Sequence, residues 1–449
     1  MIEPTAIDEF LPGYLGRQPW FAHGEARHRA RAGERVEVGA TVRHREVWRD
    51  GNPGLVWAIL DTTLDGEPVG SYQVLIGLRP SVPSPGFLIG ATSRVLGTLA
   101  GDGSEWLAYD ALVDPELTIV ALAEMFDDLH GVRSVRKLTA GKTSTSVVVD
   151  EAWLCKVFRR VHEGPNPGVE LPARLWEHGF RATLEAVESW HHRGMDLALR
   201  RPFFPGAANG LDLAEASLRE LFASGLDPQL SPGDFSAEAR RIGRMLAAMH
   251  IASEAAYGVV PVARDDLLGE VADGLVALGI DGLGADVVEA WTRRCRDGLD
   301  EEIATVRVHG NLHLGQLLRS DQGWLILDFE GAPLLPTAER RRPRPVWFDV
   351  SSMLRSFDYV AAMTRAARVE SELGDDTVEV GAAMWVERNT RAFLDGYRKG
   401  RTMSSDVDIA TAVEVGEVAR AAYEVAYERA NRPELESIPV AALRRLVTA

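Results

Sequence analysis

The residues best suited to chemistry fall in one stretch, Val306 to Asp349. His309, Asn311 and Gln316 belong to a polar turn, His309–Gln316, set between the short apolar runs Val306–Val308 and Leu317–Leu318. Trp324–Leu327 is apolar and too short for a helix. It reads as a buried strand that ends where Asp328-Phe329-Glu330-Gly331 begins. Two short strands would then deliver an imidazole, two amides and a carboxylate to one edge. An oxygen-rich loop beside one metal-binding aspartate is what phosphoryl transfer asks of a protein: Mg²⁺ held on the phosphates and an acceptor hydroxyl held in line. The plainer alternative is a strand-turn-strand without chemistry.

The two segments HGNLHLGQ, from His309, and LILDFEG, from Leu325, resemble the catalytic and metal-binding loops of aminoglycoside-phosphotransferase-type kinases. The usual form there is HGD, four residues, Asn, then a strand ending in Asp. The Gln at the last position, the DFEG turn and DVSSMLRSFDYVA from Asp349 resemble the actinobacterial maltokinase branch and its relatives, the glucosamine kinases. That resemblance implies Gln316 and Asp328 as Mg²⁺ ligands, His309 as a brace for the loop, and Asp349 as the residue that ties the loop down. It also implies ATP as the phosphoryl donor.

One position departs from the pattern. Where the family carries its catalytic aspartate, this chain has Asn311. An amide takes no proton at ordinary pH, although its oxygen accepts a hydrogen bond from a sugar hydroxyl. General-base help is worth ~10²–10⁴ in rate, while phosphoryl transfer leans more on positioning and electrostatics. Three readings stay open: a natural variant with another carboxylate nearby, a near-inactive pseudokinase that binds without turnover, or an introduced Asp→Asn change that traps substrate.

The elements that must position this chemistry lie on both sides of it. Val135–Phe158 reads as strand, polar turn, strand, turn, strand. It resembles the nucleotide-covering hairpin of a kinase small lobe, with Lys156 on the third strand. Gly141-Lys142-Thr143 suggests a P-loop, but the glycine that motif needs is Arg136, so the motif fails. Ser144, Thr145 and Ser146 are expected instead to offer N–H and hydroxyl donors to phosphate, an ordinary turn being the alternative. Glu170 opens a helix after Pro167-Gly168. By the resemblance it pairs with Lys156, which holds the α- and β-phosphates; a first-turn acid favoured by the helix dipole is compatible with that. Leu197–Asp212 resembles the hinge, with backbone groups near Arg201–Phe203 meeting the adenine. Pro202 has no N–H, so a neighbour must donate.

Residues 1–90 read as a β-rich cap. ERVEVGATVRHREVW, GLVWAILDTTL and EPVGSYQVLIGL carry β-branched and aromatic residues between the turns Asp50-Gly51-Asn52-Pro53 and Asp65-Gly66. Trp20 and Phe21 are expected to anchor a short opening helix, and Ser81–Gly86 marks a boundary. From Leu213 the chain reads as helical, with Ile242, Met245, Leu246 and Met249 on one face and His250 as a packing histidine. Glu339–Arg344 is a basic patch, either solvated or holding a phosphate.

The chain has 449 residues, 46% hydrophobic and 26% charged, with 49 Lys and Arg against 66 Asp and Glu for a net charge of −17. Such a balance suits a soluble globular protein of two or three packed units, and argues against nucleic acid or an anionic membrane surface. Cys155 and Cys295 form no metal spacing or disulfide framework. With neither a signal peptide nor a long uncharged run, a cytoplasmic monomer is expected.

The acceptor signal lies in TAVEVGEVARAAYEVAYERANRP, from Thr411. Glu414, Glu417, Glu424 and Glu428 fall near one helical face, with Tyr423, Tyr427 and Asn431 beside them. The resemblance places YEVAYERANRP in the sugar pocket. Carboxylates there would favour an ammonium, hence D-glucosamine over maltose, and Ala332 stands where maltokinases carry an acid. The expected fold is α+β and bilobal, of protein-kinase-like type: an N-terminal β-rich cap at 1–90, a small lobe at 91–200 and a mostly helical C-lobe at 201–449.

Overall fold

β-branched and aromatic residues, punctuated by tight turns, make the first sheet. The computed structural model describes residues 3–31, 33–101, 103–129, 131–138, 144–184, 188–224, 227–231, 233–368, 375–401 and 409–448. β1 (Val38–Arg49), β2 (Gly54–Leu64) and β3 (Glu67–Pro80) pair antiparallel. Asp65-Gly66 joins β2 to β3 with φ of 50° and 86°, the left-handed pair whose twist matches a two-residue hairpin. β2 then shows period-2 logic with apolar surface on both sides. Leu55, Trp57 and Ile59 enter one cluster with the Pro115–Met125 helix. Val56, Ala58 and Leu60 enter another with Trp20 and Phe21, which do anchor the opening helical turns.

The boundary expected at Ser81–Gly86 falls inside this sheet. β4 (Val95–Gly101) and β5 (Ser104–Asp110) extend it in the order β1-β2-β3-β5-β4. The cap therefore does not close at residue 90, because β3 needs β5 to satisfy its far edge. A second antiparallel sheet follows, from β6 (Val135–Leu138), β7 (Ser144–Val149) and β8 (Trp153–Phe158). The two-residue β9 (Arg160–Val161) returns to β3, and β10 (Glu188–His192) and β11 (Met195–Pro202) complete the order β10-β11-β8-β7-β6. The P-loop-like Gly141-Lys142-Thr143 lies outside the described residues. Met1–Val169 and Ala186–Pro205 form one unit; Glu170–Glu185 and Gly206–Ala449 form the other.

The second unit is mostly helical. Ile242, Met245, Leu246 and Met249 of the Ser236–Tyr257 helix are buried as one stripe, against the Asp375–Gly400 helix among others. That crossing is at backbone distance. A Cβ on Gly243 would sit 2.1 Å from the Phe393 carbonyl oxygen, and one on Gly396 2.1 Å from that of Arg240, so only glycine fits at either point. β12 (Ala208–Asn209), a ribbon of β13 (Val260–Ala263) and β14 (Glu302–Thr305), and the hairpin β15 (Leu317–Ser320) and β16 (Gly323–Ile326) complete the strands. The strand expected at Val306–Val308 is a single bridge instead. Val306 exchanges hydrogen bonds with Arg344 at 2.9 and 2.8 Å, after which the chain turns into the loop at His309. No described helix is long and apolar enough to cross a membrane.

Candidate active site

The loop from His309 is bolted to the start of the Trp347–Arg368 helix. Asp349, in its first turn, accepts the N–H of His309 on Oδ2 at 2.8 Å and that of Gly310 on Oδ1 at 2.9 Å. Two turns further along the same face, Ser356 Oγ accepts the Leu314 N–H at 2.9 Å. Asp349 is fully buried, yet the His250 hydrogen bond at 3.2 Å and the loop N–H groups outweigh that burial and hold its carboxyl below the ordinary range. His250 is thus a structural histidine, its other ring nitrogen 2.7 Å from the Tyr397 hydroxyl.

His309 joins this loop to the next one. Its Nδ1 accepts the Asn311 N–H at 3.3 Å, which leaves the proton on Nε2 to bond the Leu327 carbonyl at 2.9 Å. Burial pushes its pKa below the ordinary value despite Asp349, so the ring is neutral. It is a positioning residue, not a proton carrier. His313 is likewise neutral, pushed down to about 3 by burial and then by the charge of Arg420.

Gln316 and Asp328 both lie at the open end of the β15–β16 hairpin. Leu327 N–H donates to the Gln316 carbonyl at 2.9 Å, just beyond the Leu317–Ile326 pair of the β15–β16 hairpin. Asp328 itself has φ of 64°, a left-handed backbone that costs a non-glycine residue about 1–3 kcal/mol and marks functional positions. One carboxylate and one amide oxygen match the incomplete shell Mg²⁺ takes when phosphates and water supply the rest. Among the described residues no group of three His, Cys, Asp or Glu could hold a metal unaided.

Asn311 already accepts one hydrogen bond. Arg420 Nη1 donates to its Oδ1 at 2.9 Å, and Arg420 Nε to Glu424 Oε1 at 3.1 Å. Arg355 Nη2 donates to the other oxygen of Glu424 at 2.9 Å. Glu428 receives Arg432 Nε at 2.8 Å and the Tyr359 hydroxyl at 2.7 Å. Glu424 and Glu428 are 7% and 2% exposed. The expectation of carboxylates waiting for an ammonium is corrected: in so little solvent each needs a resident cation, and arginines supply it. Tyr423 and Tyr427 stack at 6.1 Å, and Asn431 Nδ2 donates back to the Tyr427 carbonyl at 2.9 Å.

The first unit carries the residues expected to meet nucleotide. Ser144, Thr145 and Ser146 are buried β7 residues rather than a turn, because their backbone pairs with Phe158, Val157 and Lys156 of β8. Thr145 serves the interior: its hydroxyl accepts from Arg159 Nε at 2.9 Å, and Arg159 Nη2 reaches both oxygens of buried Asp110 at 2.8 Å. Ser146 stands directly across from Lys156, whose Nζ is 5.7 Å from the Phe158 ring. Phe203 N–H is taken by the Ala152 carbonyl at 2.8 Å, so it is no adenine donor; Arg201 pairs with Leu154 in the ladder. Glu170, in the second unit, receives Arg341 Nε at 3.1 Å, a partner the sequence did not suggest. Arg342 and Arg344 bridge Glu270, so the basic patch is charge-matched locally.

Arg420, Arg355 and Ser356 were not singled out from sequence. Arg420 and Glu424 sit four apart on one helix, a pairing signal hidden among the five other charges of Thr411–Pro433, while Ser356 follows Asp349 by two turns.

A β-rich unit, a helical unit and two cross-bolted loops define a protein-kinase-like phosphotransferase fold. Its relatives are glucosamine kinases. The chain is 29% identical over 364 residues to the glucosamine kinase of Streptacidiphilus jiangxiensis, covering 76% of this chain and 79% of that one. It is 26% identical over 243 residues to that of Mycolicibacterium smegmatis, covering 51% and 60%. A solved glucosamine kinase in complex with glucosamine, ADP and inorganic phosphate superposes with a TM-score of 0.58 at 21% identity, over 92% of this chain and 94% of that one. No family model matches. The likeness read from HGNLHLGQ and LILDFEG is borne out in sequence and in fold.

Proposed function

We propose that this chain phosphorylates D-glucosamine on its 6-hydroxyl, using ATP and Mg²⁺. The observation that carries the reading is the join between the loops: His309 Nε2 on the Leu327 carbonyl and Leu327 N–H on the Gln316 carbonyl, both at 2.9 Å. That join ties the segment carrying Gln316 to the one leading into Asp328, which supports the reading. Those two would hold Mg²⁺, which when bound neutralises phosphate charge. Lys156 holds the α- and β-phosphates, with Ser146 beside it and Ser144 further along the same strand face. Backbone near Arg201 meets the adenine. Asn311 orients the acceptor, and Tyr423, Tyr427 and Asn431 border the sugar. Glucosamine as acceptor is supported by the two curated relatives. The reading takes the chain as a cytoplasmic monomer acting on a small sugar, away from nucleic acid and membranes.

Asn311 favours a second reading, a sugar- and nucleotide-binding protein with little turnover. Calorimetry with Mg-ATP and glucosamine beside a coupled ADP-release assay separates the two. Glucosamine, glucose, N-acetylglucosamine and maltose are compared at equal concentration. Turnover with glucosamine ahead of the other three sugars is expected, as the two glucosamine kinase relatives suggest. Binding without turnover sinks the enzyme reading; maltose in front sinks the acceptor.

A further inference from the structure

At the position where related loops carry a carboxylate, this chain presents an amide and, behind it, a guanidinium. Arg420 is fixed on three sides: Asn311 Oδ1 at 2.9 Å, Glu424 Oε1 at 3.1 Å and the Tyr423 ring 5.2 Å away. Its side chain is 13% exposed, so little water screens it. The contacts run on from Glu424 to Arg355, from Arg355 to Asp358, and from Arg445 to Asp358. Three guanidiniums, Arg355, Arg420 and Arg445, thus share two carboxylates, Glu424 and Asp358; Glu417 nearby joins them as an anion only above about 7, where burial has pushed its carboxyl. Arg420 takes one lone pair of Asn311 Oδ1, and the NH₂ of the same amide offers donors beside that guanidinium. An amide donor beside a fixed cation is complementary to anionic oxygens.

We propose that Arg420 and Asn311 together form a seat for the phosphoryl group on the acceptor side, contacting the sugar phosphate monoester and the phosphoryl group as it transfers. The proposal rests on the kinase reading and specifies its chemistry. The acceptor's 6-oxygen forms a bond to the γ-phosphorus while the bond from that phosphorus to the β–γ bridging oxygen breaks. ADP leaves, and the hydroxyl proton passes to a phosphoryl oxygen and then to water. Arg420 bears the charge on the equatorial oxygens throughout, so no side-chain base is required. The same contact persists in the product, which this site therefore holds more tightly than the free amino sugar.

The test is calorimetry of glucosamine 6-phosphate and of glucosamine, each with Mg-ADP present, on the native chain and on Arg420→Gln and Arg420→Lys. Thermal melting checks that each variant is folded. Arg420→Gln should weaken the sugar phosphate at least about 10-fold while glucosamine changes less than about 3-fold, and Arg420→Lys should recover most of the loss. In turnover the Gln variant should lose kcat with KM for glucosamine nearly unchanged. Equal losses for sugar and sugar phosphate, an unchanged phosphate affinity, or no phosphate affinity in the native chain would overturn it. Arg420-dependent binding of the ester with no turnover at all would sink the kinase reading and leave the seat standing.

Discussion

Oδ1 of Asp349 takes the N–H of Gly310 at 2.9 Å, across 39 residues of sequence, while Oδ2 takes that of His309. A carboxylate has no donor side, so both loop N–H groups are satisfied at once. Asp349→Asn turns an NH₂ toward one of them. The expected result is a loss on the order of 1–3 kcal/mol in stability from a buried unsatisfied donor, and roughly 10²-fold in kcat from a displaced loop. Denaturant unfolding and steady-state kinetics measure the two; native-like values for both would show that the loop is held elsewhere.

Asn311→Asp restores the family's usual residue, but next to Arg420. The new carboxylate would be bound by that guanidinium and its pKa lowered, making it a weak base. No gain in kcat is expected, against the ~10²–10⁴ usual for general-base help, since the amide donor is lost and the charge of Arg420 is spent on the new carboxylate. A gain of 10³ or more would mean that Arg420 releases the side chain during turnover.

Lys156 lies in the middle of β8, 5% exposed, with Ser146 across the ladder. Lys156→Met keeps the apolar stem and removes the charge. KM for ATP should rise at least about 10-fold with glucosamine binding unchanged, as expected for a lost contact to a charged phosphate. Isothermal titration with Mg-ATP reads it directly, and an unaltered nucleotide affinity would remove Lys156 from the site.

Glu417 offers a pH experiment. Burial raises its carboxyl to about 7, so between the ordinary carboxylate range and pH 7 the folded chain holds a proton that the unfolded chain has lost. Stability attributable to this group therefore falls as pH rises through that window and is level above it. Glu417→Gln should melt several degrees above the native chain at pH 8 and close to it at pH 5. A constant difference at both pH values would show that the side chain ionises normally.

The strands of the cap, the helical stripe from Ile242 and the two loops were legible because each rests on local periodicity or on a dense motif. Asp349 was legible through its position after the loops. What could not be read was the pairing of long charged side chains. Glu424 and Glu428 looked like an open acidic face, since spacing places them together but says nothing of Arg355, 69 residues away in sequence, or of which carboxylate Arg420 selects. Ser144–Ser146 looked like a polar turn for a related reason: β7 is a buried strand whose backbone pairs with β8 and whose Thr145 hydroxyl is bonded by Arg159.

The chain enters the second unit at Glu170, leaves it after Glu185 and returns at Gly206. That excursion places Leu171, Leu175 and Phe180 in a core completed by Ile326, and bonds the Thr183 hydroxyl to the Ile326 carbonyl 143 residues later. During synthesis at about 5–20 residues per second, this segment waits roughly 7–30 s for its partner to emerge. A nascent chain halted before Ile326 would present an apolar helix face with no core to receive it, and would be a natural client for a chaperone at the ribosome exit. Splitting the gene at Gly206 would likewise strand that helix on the wrong half.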